Sequence, residues 1–207
     1  MYKKFTKNPQ TDVVFLKDMG LKPHHKILDI GCGGGRLGYE LITYLNLENY
    51  YGFDKQKNWI EDFKQSITDF NLSGKTPTIL LSDFNWRLDE SIKFDYVYAY
   101  AVFTHVGPEL VEMCLNNLKK HMTPESKFYA TIIAGSKSGF EYNQVHPERP
   151  NEYLQARYDL NYFNEMVQLC GYKSELISTS YTKRVGPGNH EDANLSHEHK
   201  IVLITLK

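Results

Sequence analysis

Cysteine is scarce in this chain, and so is arginine. The 207 residues hold three cysteines, Cys32, Cys114 and Cys170, far apart and without Cys-x-x-Cys spacing. Such a set builds neither a disulfide framework nor a thiolate metal centre, and it reads as reduced thiols of a cytoplasmic protein. Only five of the 24 basic residues are Arg, and 25 acidic residues bring the net charge to −1. A dedicated nucleic-acid binder carries a strong basic excess, so no nucleic-acid partner is expected. Long hydrophobic runs are also missing. The longest, 96–103, has eight residues, against about 20 for a bilayer span. No apolar stretch follows the charged start Met1-Tyr-Lys-Lys, so no signal peptide is expected. Hydrophobic residues at 41% and charged residues at 24% exclude the disordered, collagen-like and coiled-coil classes. At this length a single domain over 1–207 is expected.

Short apolar runs alternate with amphipathic segments. A helix is expected over 11–19, with Thr11 as cap and Gly20 as stop. Strands are expected at 27–30, 50–53, 78–81, 96–101 and 128–133. Between them, Leu37, Leu41, Ile42 and Leu45 follow helical spacing, as do residues 59–70 and the set Leu110, Val111, Cys114, Leu115 and Leu118 behind Pro108. Phe163, Met166, Val167 and Cys170 form a last helical stripe, stopped by Gly171, and strands near 174–181 and 201–206 close the chain. Two consecutive strands without a crossover helix are antiparallel neighbours. The pattern therefore predicts an α/β fold: a mostly parallel, seven-stranded sheet, helices on both faces and a C-terminal antiparallel strand. Ligands of such sheets bind beyond the carboxyl ends of the strands. Residues 134–158 and 182–199 are read as long loops, of the length that carries function.

The strongest local signal is Ile27-Leu-Asp-Ile-Gly-Cys-Gly-Gly-Gly-Arg-Leu-Gly38. Its glycines let the backbone turn and approach a ligand, and the helix that follows points free N–H groups at it. Asp29 ends the strand before the glycines, where a carboxylate suits a ligand with a positive amino group. Asp54 ends the next strand, where a carboxylate accepts two hydrogen bonds from a ribose diol. Gly33-x-Gly35-x-x-Gly38 also satisfies the dinucleotide pattern, with Asp54 at the distance suited to NAD. Three features oppose NAD: Asp29 would repel a pyrophosphate, the chain ends in two paired strands, and the sole Tyr-x-x-x-Lys, Tyr51 to Lys55, lies at the second strand end.

Asp29-Ile-Gly-Cys-Gly-Gly-Gly resembles motif I of the class I S-adenosylmethionine (SAM) methyltransferases, which have a Rossmann-like fold. Asp54 matches that family's acid after strand two, Leu81-Ser-Asp-Phe84 its segment after strand three, and Phe94-Asp-Tyr-Val-Tyr-Ala its strand four. Val102-Phe-Thr-His-Val106 resembles the loop that follows in small-molecule members. The resemblance runs in order from about 26 to 133. It implies SAM as cofactor, with S-adenosylhomocysteine (SAH) as product. Asp29, Gly31, Gly33 and Gly35 would hold the methionine end, with Cys32 in the same turn filling the loop. Asp54 would hold the ribose, and Asp83, flanked by Ser82 and Phe84, the adenine. Tyr100, at the end of strand four, joins this cofactor set.

An amine or hydroxyl acceptor must lose a proton to be methylated, and an imidazole with pKa near 6.5 suits that work. His105 is the first candidate base and His146 the second; the alternative for His105 is a residue that only orients its loop. Tyr142, Arg149, Arg157 and Tyr158 are candidate acceptor contacts, the tyrosines for stacking and the arginines for a carboxylate or phosphate. Tyr98-Ala-Tyr-Ala101 lacks the Asp/Asn-Pro-Pro-Tyr/Phe of nucleic-acid amino-methyltransferases. The resemblance implies a small stand-alone enzyme acting on a metabolite or glycan precursor. An oxygen of a sugar, or a phosphorylated or phosphoramidate-type precursor of a surface polysaccharide, is the acceptor expected by analogy. A monomer or homodimer is expected. His190, Asp192, His197 and His199 invite a metal reading, but methyl transfer from SAM needs none, so no metal is expected. The competing classes are an NAD(P)-dependent oxidoreductase or epimerase and a non-catalytic SAM-binding module.

Overall fold

The computed structural model describes residues 10–136, 139–144, 154–178 and 199–207. The chain divides into two compact units, Met1–Tyr98 and Ala99–Lys207.

The first unit runs α1 (Gln10–Asp18), β1 (Ile27–Ile30), α2 (Arg36–Tyr44), β2 (Tyr50–Asp54), α3 (Lys57–Asp69), β3 (Thr78–Leu81) and into β4 (Tyr96–Ala99). Its strands lie in the order β3-β2-β1-β4, all parallel. Every residue of β1 and β4 is buried. Parallel strands covered on both faces need mostly apolar runs, interrupted here only by Asp29, which is why these two were legible as strands. Leu37, Leu41 and Ile42 of α2 and Ile60, Phe63 and Ile67 of α3 recur at three- and four-residue spacing, so each helix buries one stripe. The register sets Asp29 beside Gly52 on one side and Tyr98 on the other.

The second unit contains α4 (Pro108–Leu118), β5 (Lys127–Ala134), β6 (Phe140–Gln144), β7 (Leu154–Tyr158), α5 (Leu160–Leu169), β8 (Tyr172–Ser178) and β9 (His199–Leu206). Pro108 opens α4, where its missing N–H is no loss. Asp159 caps α5 by accepting the Asn161 and Tyr162 N–H groups at 2.9 and 3.0 Å. As expected, the C-terminal strand is antiparallel: β9 pairs with both β5 and β8.

The strand count differs from the seven expected. Among the described residues there are nine strands, because 140–144 and 154–158, inside the expected loop, form β6 and β7, an antiparallel pair. Phe140, Tyr142, Ala156 and Tyr158 alternate with Glu141, Asn143, Gln155 and Arg157 across this pair. Period-two alternation was present, but over five residues and carried by tyrosine and polar side chains it falls below the apolar signal of a buried strand.

Candidate functional site

The glycine turn is wired into the end of β2. The N–H groups of Gly31 and Cys32 both donate to the Phe53 carbonyl, at 2.9 and 3.0 Å. Gly33 N–H donates to Asp54 Oδ2 at 3.0 Å and Gln56 N–H to Asp54 Oδ1 at 2.8 Å. Asp54 is 6% exposed, so its carboxylate is shaped by the fold before any ligand arrives. Each of its oxygens takes one backbone donor here and has room for another. Gly35 caps α2 at φ 85° and, as glycine, supplies no side-chain cap.

Gly35 and Gly38 also serve packing. A Cβ on Gly35 would stand 2.1 Å from the Phe63 ring, and one on Gly38 would stand 2.2 Å from it and 2.6 Å from the Tyr50 hydroxyl. Two of the glycines that make the pattern are therefore required by the approach of α2 to α3 and β2.

Asp29 lies beneath this turn. It is 4% exposed, and the Tyr50 hydroxyl donates to its Oδ2 at 2.7 Å. Burial pushes its carboxyl up to about 7, against the Tyr50 donor and the nearby Arg36 charge, which lower it; Asp12 and Asp54 add to the rise. In the unfolded chain the group keeps its ordinary value of 3.8. Folded protein thus retains a proton that unfolded protein has released between those values. Stability from this group is intact below about pH 4 and declines as pH rises towards about 7, then levels off. Urea unfolding from pH 4 to 8 is expected to show this decline, and Asp29→Asn is expected to remove it; an unchanged slope in the variant would count against the shift.

The other cofactor candidates lie near the ends of β3 and β4. Ser82 N–H donates to the Asp54 carbonyl at 3.0 Å. Asp83 is exposed, and its Oδ1 caps a turn by accepting the Asn85 N–H at 2.8 Å. Phe84 is 9% exposed and meets Phe53 edge-on, with ring centroids 6.4 Å apart. Tyr100 is half-buried in the turn after β4. Cys32 is buried and its thiol, raised chiefly by burial, stays protonated, as suits a loop filler.

Three features were not read from the sequence. Trp59, on the first turn of α3, is 47% exposed and stands 3.7 Å from the point a Cβ on Gly33 would occupy. Arg36 Nη2 pairs with the buried Asp12 Oδ2 at 3.1 Å, tying α1 to the first turn of α2. Tyr50 supplies the Asp29 bond across 21 residues. No local spacing signals a partner that distant; only strand register creates it.

In the second unit, Ala101 takes the left-handed conformation at φ 54°, with its N–H held by Thr131 Oγ1 at 2.7 Å. This kink starts the loop that carries His105. The His105 ring is exposed, with Nδ1 3.0 Å from the Leu154 carbonyl. Tyr142 is 46% exposed. Arg157 is half-buried, registered between Ile133 of β5 and Glu141 of β6. Tyr158 departs from its expected stacking role. It is wholly buried, its ring packs on Phe140 and Phe163, and its hydroxyl donates to the Val106 carbonyl, leaving no face for a ligand. Thr104 Oγ1 and Gln155 Oε1 are buried without a hydrogen-bond partner among the described residues. His146, Arg149, His190, Asp192 and His197 lie outside the described residues, and nothing structural is assigned to them. Among the described residues there is no cluster of three or more metal-ligating side chains and no helix long and apolar enough to cross a membrane.

A parallel sheet whose first glycine turn is tied to an acid at the end of β2 defines an open, Rossmann-like α/β protein. A methyltransferase-domain family model matches residues 21–178, more than half of the chain, and the chain belongs to that family. Among curated proteins it is 28% identical over 118 residues to the cyclopropane-fatty-acyl-phospholipid synthase of Escherichia coli K12, covering 57% of this chain and 28% of the synthase. It is 34% identical over 107 residues to uncharacterized protein RP028 of Rickettsia prowazekii, covering 48% of this chain and 39% of that protein. The chain thus spans well under two thirds of these relatives. Among solved structures, the glycopeptide N-methyltransferase MtfA bound to SAH aligns over 98% of this chain and 92% of its own at TM-score 0.72 and 9% identity. Magnesium protoporphyrin IX methyltransferase of Synechocystis PCC 6803, with bound SAM, aligns over 96% and 78% at TM-score 0.63 and 16% identity. These likenesses establish the class I methyltransferase fold, and the SAM and SAH named with those structures agree with the cofactor expected from the sequence.

Proposed function

We propose that the chain is a SAM-dependent methyltransferase, with 1–207 acting as one methyltransferase domain and 134–158 as its acceptor-side insertion. The observation that carries this reading is the Asp54 carboxylate, fixed by Gly33 and Gln56 N–H groups at 3.0 and 2.8 Å with a lone pair left on each oxygen. That is the acceptor pair a ribose diol needs. Asp29 supports the glycine turn from below, the first-turn N–H groups of α2 suit the methionine carboxylate, and Asp83 takes the adenine amine. Bound SAM supplies an electrophilic methyl on a sulfonium. The chain's own task is to orient an acceptor, exclude water and take up a proton.

His105 does the last of these. Its Nε2 would accept the proton of an acceptor hydroxyl or amine as the methyl passes to that acceptor, the sulfur–methyl bond breaking with its electron pair to sulfur to leave SAH. A hydroxyl of a small polar molecule is the preferred acceptor by analogy with the small-molecule members of the family, and a sugar or phosphorylated glycan precursor is the finer reading, with Arg157 as its anionic contact.

Thermal denaturation with SAH, NAD and NADP in parallel tests the cofactor. Ligand at about 100 times its dissociation constant adds about 2.7 kcal/mol, which for a chain of this size raises Tm by several degrees. The shift is expected with SAH alone; a shift with NAD or NADP alone would overturn the reading. With an acceptor found by screening labelled SAM against hydroxyl and amine compounds, His105→Ala is expected to lower kcat by about 10²–10⁴, and full activity would end the base assignment.

A further inference from the structure

Three consecutive residues of the loop after β4 are each hydrogen-bonded to β7. Ala156 N–H donates to the Thr104 carbonyl at 2.9 Å. His105 Nδ1 lies 3.0 Å from the Leu154 carbonyl. The Tyr158 hydroxyl donates to the Val106 carbonyl. Beside them, the Tyr142 hydroxyl stands 2.9 Å from where a Cβ on Gly107 would be. Along one edge, β7 pairs with β5 only at Arg157 and Tyr158. The preceding part of β7, from Leu154 to Ala156, bonds Thr104 and His105 instead. There the imidazole takes the place that a peptide N–H holds in a strand.

This contact has a chemical consequence. A carbonyl oxygen only accepts, so His105 must carry its proton on Nδ1 to make the bond. A neutral ring then keeps its lone pair on Nε2. Free imidazole side chains in water favour the opposite tautomer, so the hairpin acts against the intrinsic preference. We infer that the β6–β7 hairpin is a positioning device that holds His105 as the Nδ1–H tautomer and presents Nε2 as a proton acceptor, with Leu154 and Tyr158 as positioning residues. The inference rests on the reading of His105 as the base, but its tautomer is measurable without any substrate. It also gives Tyr158 a task that its burial permits.

The test is nitrogen-15 NMR of the full chain at alkaline pH, together with hydrogen exchange at the Ala156 N–H. In the wild type, His105 is expected to be protonated at Nδ1. In Tyr158→Phe, with folding checked by melting, the Nε2–H form is expected to grow and Ala156 protection to fall about fivefold, the effect of one lost hydrogen bond. His105→Asn retains a side-chain N–H that can reach Leu154, so it is expected to keep Ala156 protected, whereas His105→Ala loses that protection. This second pair decides the matter if Tyr158→Phe fails to fold. An Nε2–H ring in the wild type, or equal protection in His105→Asn and His105→Ala, would overturn the inference. Full methyl transfer by His105→Asn with protection intact would instead end only the base assignment and leave the clamp standing.

Discussion

Gly38→Ala is expected to destabilise the protein by about 3 kcal/mol, the upper part of the range for overpacking a close-packed interior. The added Cβ would stand 2.2 Å from the Phe63 ring and 2.6 Å from the Tyr50 hydroxyl. Neither neighbour yields cheaply. Phe63 is 1% exposed, with its ring edge-on to Tyr50 at 6.0 Å, and Tyr50 is committed to Asp29. Moving α2 away would shift the glycine turn that Gly35 joins to it. Gly35→Ala is expected to be worse, because its Cβ falls 2.1 Å from the same ring and its φ of 85° is strained for any L side chain. Urea unfolding measures both. The double variant Gly38→Ala with Phe63→Ala is expected to be less destabilised than the sum of its parts, since the second change removes the atoms that the first one strikes. Wild-type stability in Gly38→Ala would show that α2 does not approach α3 as described.

Asp54→Ala is expected to weaken SAH binding by about a hundredfold or more. Two hydrogen bonds to a carboxylate are lost from the ribose, each worth about 1.5–3 kcal/mol. The same change leaves the Gly33 and Gln56 N–H groups without their acceptor, so the ligand-free protein is also expected to lose about 1–3 kcal/mol. Trp59 gives a direct optical readout. It is half exposed beside Gly33, whereas Trp86, the other tryptophan of the chain, is 2% exposed and stacked near Phe53 at 4.7 Å. Titration with SAH, followed by fluorescence, separates the two effects, since affinity is read on whatever fraction is folded. Binding of SAH to Asp54→Ala with wild-type affinity would remove the observation on which the cofactor assignment rests.

The sequence by itself determined the parallel half of this fold and the position of its glycine turn. Strands 27–30 and 78–81 were legible to the residue, because each is a short run rich in Ile and Leu, bounded on one side by glycine, proline or serine. The glycines and the acids at 29 and 54 were legible for a related reason: turn conformation and carboxylate chemistry belong to the residue and its immediate neighbours. Tertiary structure decided the rest. It alone made Gly38 a packing residue, put Tyr50 on Asp29 across 21 positions, set Trp59 against Gly33, and turned an expected loop into β6 and β7. It also withdrew Tyr158 from ligand contact by burying it. Each of these depends on strand register or on the approach of two helices, and a contact between residues distant in the chain leaves no period or motif in the sequence from which to read it.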